Sequence, residues 1–333
     1  MAVGIFIGGF LEAAIQLPFI VKKGYHFFFV SVKRAVRNPG VRTILRLIGP
    51  TVIGMAAYQL NDLISTVLAG RAGEGIVSSL QYSLRLQELI LGVFAVSIGT
   101  VLLPDLAEYA KSARWDIYNE RLITAMKIII LITIPITFFS LAEGQSLIRL
   151  LFQTRNFNEE SVSLTLAAFT FHMPGLFFIA LNRILTPAFY AQSDSRSPAL
   201  AGIISFVANM TLAAILVRLM RGAGIALALS LASTVNTAFL LVFLKKNPNI
   251  TVGGALKEAF FYMLKLILFS AVAVLPVLKL NPCLEGLFPG GNRIIFLGIP
   301  LIISAFVFGV IGVALLIISR DKQFMTLIKR LKR

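Results

Sequence analysis

The sequence predicts an all-α polytopic membrane protein with about nine transmembrane helices, and three observations predict it. First, 57% of the 333 residues are hydrophobic and only 14% are charged, with a mean hydropathy of +0.87. A soluble chain of this size has no interior large enough for that much apolar surface. Second, nine apolar stretches recur along the chain, at 3–21, 47–69, 75–103, 123–142, 162–187, 199–217, 223–244, 258–278 and 294–318. Each is close to the length a helix needs to cross a bilayer, about 20 residues. Third, basic residues concentrate in alternate connections, the signature of membrane topology. A membrane β-barrel would instead show alternating segments of about ten residues, which the sequence lacks.

The formal net charge is +16. The excess lies beside the spans, and no DNA- or RNA-binding motif accompanies it, so nucleic acid is not an expected partner. The connections after the first, third, fifth, seventh and ninth stretches hold most of the loop Lys and Arg. The opposite side has only Arg71, Arg149, Arg155, Arg218, Arg221, Lys279 and Arg293. The bias puts the C-terminus in the cytoplasm and the N-terminus outside. Met1 runs straight into apolar sequence, with no cleavable signal pattern. An external start with an odd number of spans is unusual and leads us to expect further spans ahead of this chain. The single Cys283 excludes an internal disulfide and a multi-cysteine metal site.

Taken in order, the stretch 3–21 is a plain apolar span. The connection 22–46, with KKGYHFFFVSVKRAVRNPGVR, interleaves basic and aromatic residues. It reads as an amphipathic helix on anionic lipid, with a specific headgroup or partner site as the other reading. In the second span Gln59, Asp62 and Thr66 share a helical face, with Tyr58, Asn61 and Ser65 beside them. Asp62 is the deep carboxylate of this span. Either it binds a coupling monovalent cation, or it neutralises Arg85 on the next helix.

The third stretch, within EGIVSSLQYSLRLQELILGVFAVSIGTVLLP, carries the most informative charge. Arg85 lies about 16 Å along the helix from Glu74, roughly half-way across the bilayer. A charge there costs at least a few kcal/mol unless it faces a bundle interior or a wet cavity, and arginine does not escape by losing its proton. Gln81, Arg85 and Glu88 follow at spacings of four and three, so one face of this helix is polar and is expected to line a cavity. The tight 69–75 connection makes the second and third spans an antiparallel hairpin, with Asp62 and Arg85 at comparable depth.

After Pro104, DLAEYAKSARWDIYNERL reads as a charged amphipathic segment with Trp115 at the interface. Lys127 is expected to snorkel and Pro135 to kink the fourth span. The polar segment AEGQSLIRLLFQTRNFNEE is expected to cap the cavity. In the fifth span Pro174 should interrupt the helix, and His172 is either a packed histidine or a proton carrier. Asn209, Ser230, Ser233, Thr234 and Asn236 in the sixth and seventh spans read as interhelical hydrogen-bonding residues. The last two spans are almost purely apolar apart from Lys265, and a basic tail follows.

Several stretches taken together carry a resemblance. GFLEAAIQLPFIVKKG, GPTVIG, YSLRLQELILGVFAVSIGTVLLPDLAEYA, LFQTRNF and RILTPAFYAQSDSRSP occur in that order. They resemble the MurJ (MviN) family of lipid II flippases, within the multidrug/oligosaccharidyl-lipid/polysaccharide exporter superfamily, over nearly the whole chain. The resemblance implies a fourteen-helix family fold of two six-helix lobes and two final helices, of which this chain matches the last nine. On that basis 1–21 is the last helix of the first lobe and 22–46 a linker. The second lobe is 47–244, 245–257 is a cytoplasmic linker, 258–318 a two-helix lipid-facing groove and 319–333 the tail.

The implied function is movement of the lipid-linked peptidoglycan precursor lipid II across the bacterial inner membrane by alternating access. Arg85, with Gln81 and Glu88, stands at the family's cationic substrate cavity. Asp62 and Asn209 stand near a sodium site of some members, although Ala213 and Leu229 occupy positions where more oxygen would help. Membrane lipids and lipid II are the implied partners. The first five helices, absent here, would either be supplied on another chain or mark this one as a fragment. No cofactor is implied beyond a coupling monovalent cation.

The residues themselves suit such chemistry, because arginine grips phosphate oxygens bidentately. On an empty cavity Glu88 or Asp62 is expected to hold Arg85. The alternatives are another exporter of the same superfamily, carrying drugs or other lipid-linked sugars, and a non-transporting scaffold. No nucleophile or metal-ligand motif points to an enzyme.

Overall fold

The computed structural model describes residues 2–24, 30–250, 252–287 and 294–331. Among them it is helical throughout, with no strand. The helices are α1 (Ala2–Lys22), α2 (Val32–Arg37), α3 (Pro39–Ala72), α4 (Ile76–Lys111), α5 (Trp115–Phe152), α6 (Glu159–His172), α7 (Gly175–Ala191), α8 (Arg196–Leu244), α9 (Val252–Leu287), α10 (Ile299–Ile318) and α11 (Lys322–Leu331). A π-helical turn, Ile294–Gly298, leads into α10.

The chain forms two compact units, Met1–Arg46 and Leu47–Arg333. In the first, α1 exposes Phe6, Phe10, Ile15 and Phe19, the surface of a helix meant for lipid or for other helices. Asn38 then turns the chain, its side-chain oxygen accepting from the Gly40 amide at 2.8 Å. Helix α3 therefore starts at Pro39, inside the stretch read as linker. The aromatic residues 25–29 lie outside the described residues.

In the second unit the core is built where α5 packs on α9, α7 on α8, and α4 on α6 and α7. Leu106, Leu122, Ile129, Ile184, Leu185, Leu240 and Leu244 are fully buried there. Among the described residues four helices are long and apolar enough to cross a membrane, and a fifth span is reached if the bent pair α6–α7 counts as one. The nine apolar stretches all fall on helices, but they do not map one to one. The sixth and seventh share α8, while α3 and α4 have polar residues interrupting their apolar runs.

Helix α8 reverses at Arg221, whose backbone leaves the helical region (φ 51, ψ −127). A straight helix would separate Leu216 and Gly224 by about 12 Å. Here a Cβ on Gly224 would meet the Leu216 carbonyl at 2.3 Å, so only glycine permits the two halves to close like this.

Several connections differ from expectation. Helix α4 runs through Pro104 to Lys111, and α5 starts at Trp115 after a turn in which Ala113 adopts φ 54. Most of the segment expected to cap the cavity instead extends α5 to Phe152. There Arg149 pairs with Glu159 at 2.9 Å, and Asn158 caps α6 through the Ser161 amide at 3.0 Å. Lys127, expected to snorkel, meets Glu258 at 2.8 Å.

Candidate functional site: a polar cavity between α3, α4 and α8

The α3–α4 hairpin sets the site. Its turn holds Gly73 at φ 143 and Gly75 at φ 77, conformations that glycine adopts at no steric cost. Ala69 and Ile76 pack against Ile225 beneath the turn, with Ala168 in the same cluster. From there α4 divides its faces by helical spacing. Leu86, Ser83 and Gln87 are buried, while Gln81, Arg85 and Glu88 are exposed on the opposite side.

That exposed face opens on a cavity of about 340 Å³. Gln59, Asn61, Asp62, Ser65 and Thr66 of α3 line it, facing Gln81, Arg85 and Glu88 of α4. His172, Ile225 and Leu229 complete the wall. The cavity thus brings together Asp62 and the three α4 residues. The described residues contain four ion pairs, Arg114–Glu108, Lys127–Glu258, Arg149–Glu159 and Lys265–Asp321, and Arg85 belongs to none. The expectation that Asp62 or Glu88 holds Arg85 is not met in this conformation, because the side chains share a cavity without meeting.

Asn209 lies behind the α3 wall and is 1% exposed. Its Nδ2 donates to Asn61 Oδ1 at 2.6 Å and to Ser65 Oγ at 3.4 Å. Its Oδ1 is buried without a hydrogen-bond partner among the described residues. An orphaned buried oxygen on the residue that also bonds Asn61 and Ser65 leaves one acceptor there unfilled, and unfilled oxygens are what a hard cation takes. Ala213, fully buried, and Leu229 add no side-chain oxygen.

The far wall rests on a broken helix. At Pro174 the pair α6–α7 bends by 51°. Such a break frees main-chain carbonyls that need partners inside a membrane. Ser230 Oγ donates to the Phe171 carbonyl at 2.6 Å, and Gln87 Nε2 to the His172 carbonyl at 2.6 Å. Ser230 packs so tightly that a Cβ on Gly175 would meet its Cα at 2.9 Å. His172 is 1% exposed, and its Nδ1 lies 2.6 Å from Ser83 Oγ. The histidine is therefore packed and hydrogen-bonded, as one reading had it, and it also borders the cavity.

Sequence reasoning missed the supporting role of Ser83 and Gln87. Their spacing of four, on the side of α4 opposite Arg85, was the available signal: a second polar face on a mostly apolar helix needs hydrogen-bond partners of its own.

A helical membrane protein with a polar cavity between its helices, one broken helix and, on the cavity wall, an arginine that joins no ion pair among the described residues has the features a transporter uses. The comparisons narrow that class. The family model described as "Lipid II flippase MurJ" matches residues 1–287. A probable lipid II flippase MurJ of Treponema pallidum (strain Nichols) is 44% identical over 321 residues, covering 96% of this chain and 61% of that protein. One from Vibrio cholerae is 30% identical over 240 residues, covering 72% of this chain and 45% of that protein. The chain belongs to the lipid II flippase MurJ family, a family of bacterial membrane transporters.

It spans about 61% of the length of the Treponema relative. Its fold is similar to a solved lipid II flippase MurJ in an inward closed conformation, at TM-score 0.65 and 24% identity, over 94% of this chain and 61% of that one. A multidrug resistance MATE family transporter of the MOP superfamily, in an outward-facing conformation, shares the fold at TM-score 0.56 and 18% identity, over 90% and 70% of the two chains.

Proposed function

We propose that this chain supplies the cavity half of a lipid II flippase, and that Arg85 is the residue in it that grips the diphosphate of the lipid-linked peptidoglycan precursor. One observation carries the reading: Arg85 lines a polar cavity from the first half of α4 and, among the described residues, has no counter-charge within ion-pair distance. A diphosphate passing a low-dielectric layer needs charge-assisted hydrogen bonds, and a guanidinium offers two in parallel. Gln81 and Glu88, one turn to either side, bound the headgroup. The reaction is movement, with no bond made or broken, so the chain is not an enzyme. The basic bias of the connections supports a cytoplasmic C-terminus in a bacterial inner membrane.

Asp62, with Asn61, Ser65 and Asn209 beside it, is the set that would hold a coupling monovalent cation. When bound, such an ion supplies one positive charge beside the substrate path. The residues' own part is to present oxygens and to keep the α3 wall in register with α8.

The test is rescue of cells depleted of their own lipid II flippase. The chain is expressed alone and joined to the helices that precede the matched region in the Treponema relative. Rescue by the joined protein, lost in Arg85→Ala at equal expression, supports the proposal, and undiminished rescue by Arg85→Ala sinks it. For the cation, Asp62→Asn should abolish the sodium or proton dependence of lipid II movement in vesicles; unchanged dependence removes Asp62 from that role.

A further inference from the structure

A second cavity, of about 520 Å³, lies where the first turns of α9, the end of α10 and the start of α11 meet α5. It shares no residue with the polar cavity above. Two carboxylates reach it, and both are engaged. Glu258 takes Lys127 at 2.8 Å, and Asp321 takes Lys265 at 2.7 Å. Asp321, 4% exposed, also accepts from the Tyr262 hydroxyl at 3.2 Å and from the Gln323 and Phe324 amides at 3.1 and 3.0 Å. It is therefore the built-in cap of α11 and has no further capacity to neutralise its surroundings.

Three more cations, Lys257, Arg320 and Lys322, line the same cavity. They are exposed and belong to no ion pair among the described residues. The chain thus gathers five cations around a hollow lined by two carboxylates and leaves three of them outside any ion pair among the described residues. The flanks of the hollow are apolar and open. Phe261 lines it at 58% exposure, Leu264 and Leu268 continue along α9, and Ile318 ends α10 at 78% exposure. A soluble anion would use the charges and ignore the flanks. A ligand with a phosphate and acyl chains uses both, and basic pockets between spans at a membrane surface have that pattern.

We infer that this cavity binds the phosphate of an anionic glycerophospholipid, with Lys257, Arg320 and Lys322 on the headgroup and the exposed apolar faces of α9 and α10 along the acyl chains. The bound lipid bridges α9 to the α10–α11 turn over the fixed Lys265–Asp321 pair. This site is independent of the flippase reading, and its ligand need not be the transported one.

The experiment is thermal unfolding of the purified 333-residue chain in phosphatidylcholine micelles titrated with phosphatidylglycerol. A saturable rise in Tm of roughly 2–4 °C is expected. The shift should vanish in Lys257→Gln/Arg320→Gln/Lys322→Gln and shrink in each single variant, but survive in Lys245→Gln/Lys246→Gln, outside the cavity. Inorganic phosphate at matched ionic strength should produce none. A full shift in the triple variant overturns the site. So does a full shift in all three single variants, should the triple fail to fold. An equal shift from inorganic phosphate overturns its assignment to a lipid.

Discussion

In the α3–α4 cavity Arg85 is exposed and in no ion pair among the described residues, whereas in α9 Lys265 reaches Asp321 at 2.7 Å. Both cations interrupt apolar sequence, and on the sequence they look alike. The difference lies in who supplies the counter-charge. At the α9–α11 corner the chain does, and the pair with its hydrogen bonds offsets the cost of holding charge beside the bilayer. In the cavity the chain supplies a hollow and, among the described residues, no ion-pair partner, so on the proposed reading the guanidinium keeps its hydrogen-bonding capacity for a ligand. On the proposed reading, charge among these helices is structural where it is answered and functional where it is left open.

Substitutions can break or sharpen that contrast. The largest effect should come from Arg85→Ala. A charge-assisted bond is worth about 1.5–3 kcal/mol, so affinity for the diphosphate should fall on the order of 10–100-fold. Thermal stability should hardly move. A large loss of Tm in Arg85→Ala, measured alongside lipid II binding, would mean that the cavity arginine is structural after all.

Asp321→Asn should do the reverse, lowering stability by about 1–3 kcal/mol while leaving lipid II binding intact. The lower end is expected, because the Lys265 side chain is 31% exposed and solvent screens the pair. The same pair predicts a pH dependence. Burial works to raise the Asp321 pKa, but Lys265, the Phe324 amide and Tyr262 overcome it and hold the carboxyl below its usual range. A carboxyl whose folded pKa is depressed stabilises the fold above its unfolded pKa and loses that contribution as pH falls through the folded one. Unfolding followed from pH 7 downward should therefore show an acid-side loss that is smaller in Asp321→Asn.

Gln87→Leu tests the frame behind the cavity. It strips the donor from the buried His172 carbonyl and should cost about 1–3 kcal/mol, read as a drop in the unfolding midpoint. The smallest effect belongs to Glu258→Gln. Its partner Lys127 reaches it at 2.8 Å, but the Glu258 side chain is 70% exposed and solvent screens the pair. No measurable change in Tm is expected, and a clear one would show that surface pairs matter at this corner as much as the Asp321 cap.

How far the site could be read in advance follows from where each signal lies along the chain. Gln81, Arg85 and Glu88 announce their shared face by spacing within one helix, and the glycines of the 69–75 turn announce the hairpin. Ser83 and Gln87 carried half a signal, since their partners His172 and its carbonyl are 89 and 85 residues away. The Asn61–Asn209 contact, across 148 residues, carried none. Hydropathy ends the third apolar stretch at 103, but the helix continues through Pro104 to Lys111, because the end of an apolar run is not the end of a helix.

By itself, the sequence determined that this is a helical membrane protein, where its apolar stretches fall, and that one arginine lies deep enough to need a reason. Those properties follow from local hydropathy and helical period, which any segment carries on its own. Only the tertiary structure decided which charges are answered. Helix rotation and packing set whether Asp62 meets Arg85 or Asp321 meets Lys265, and they depend on contacts between residues far apart in the chain.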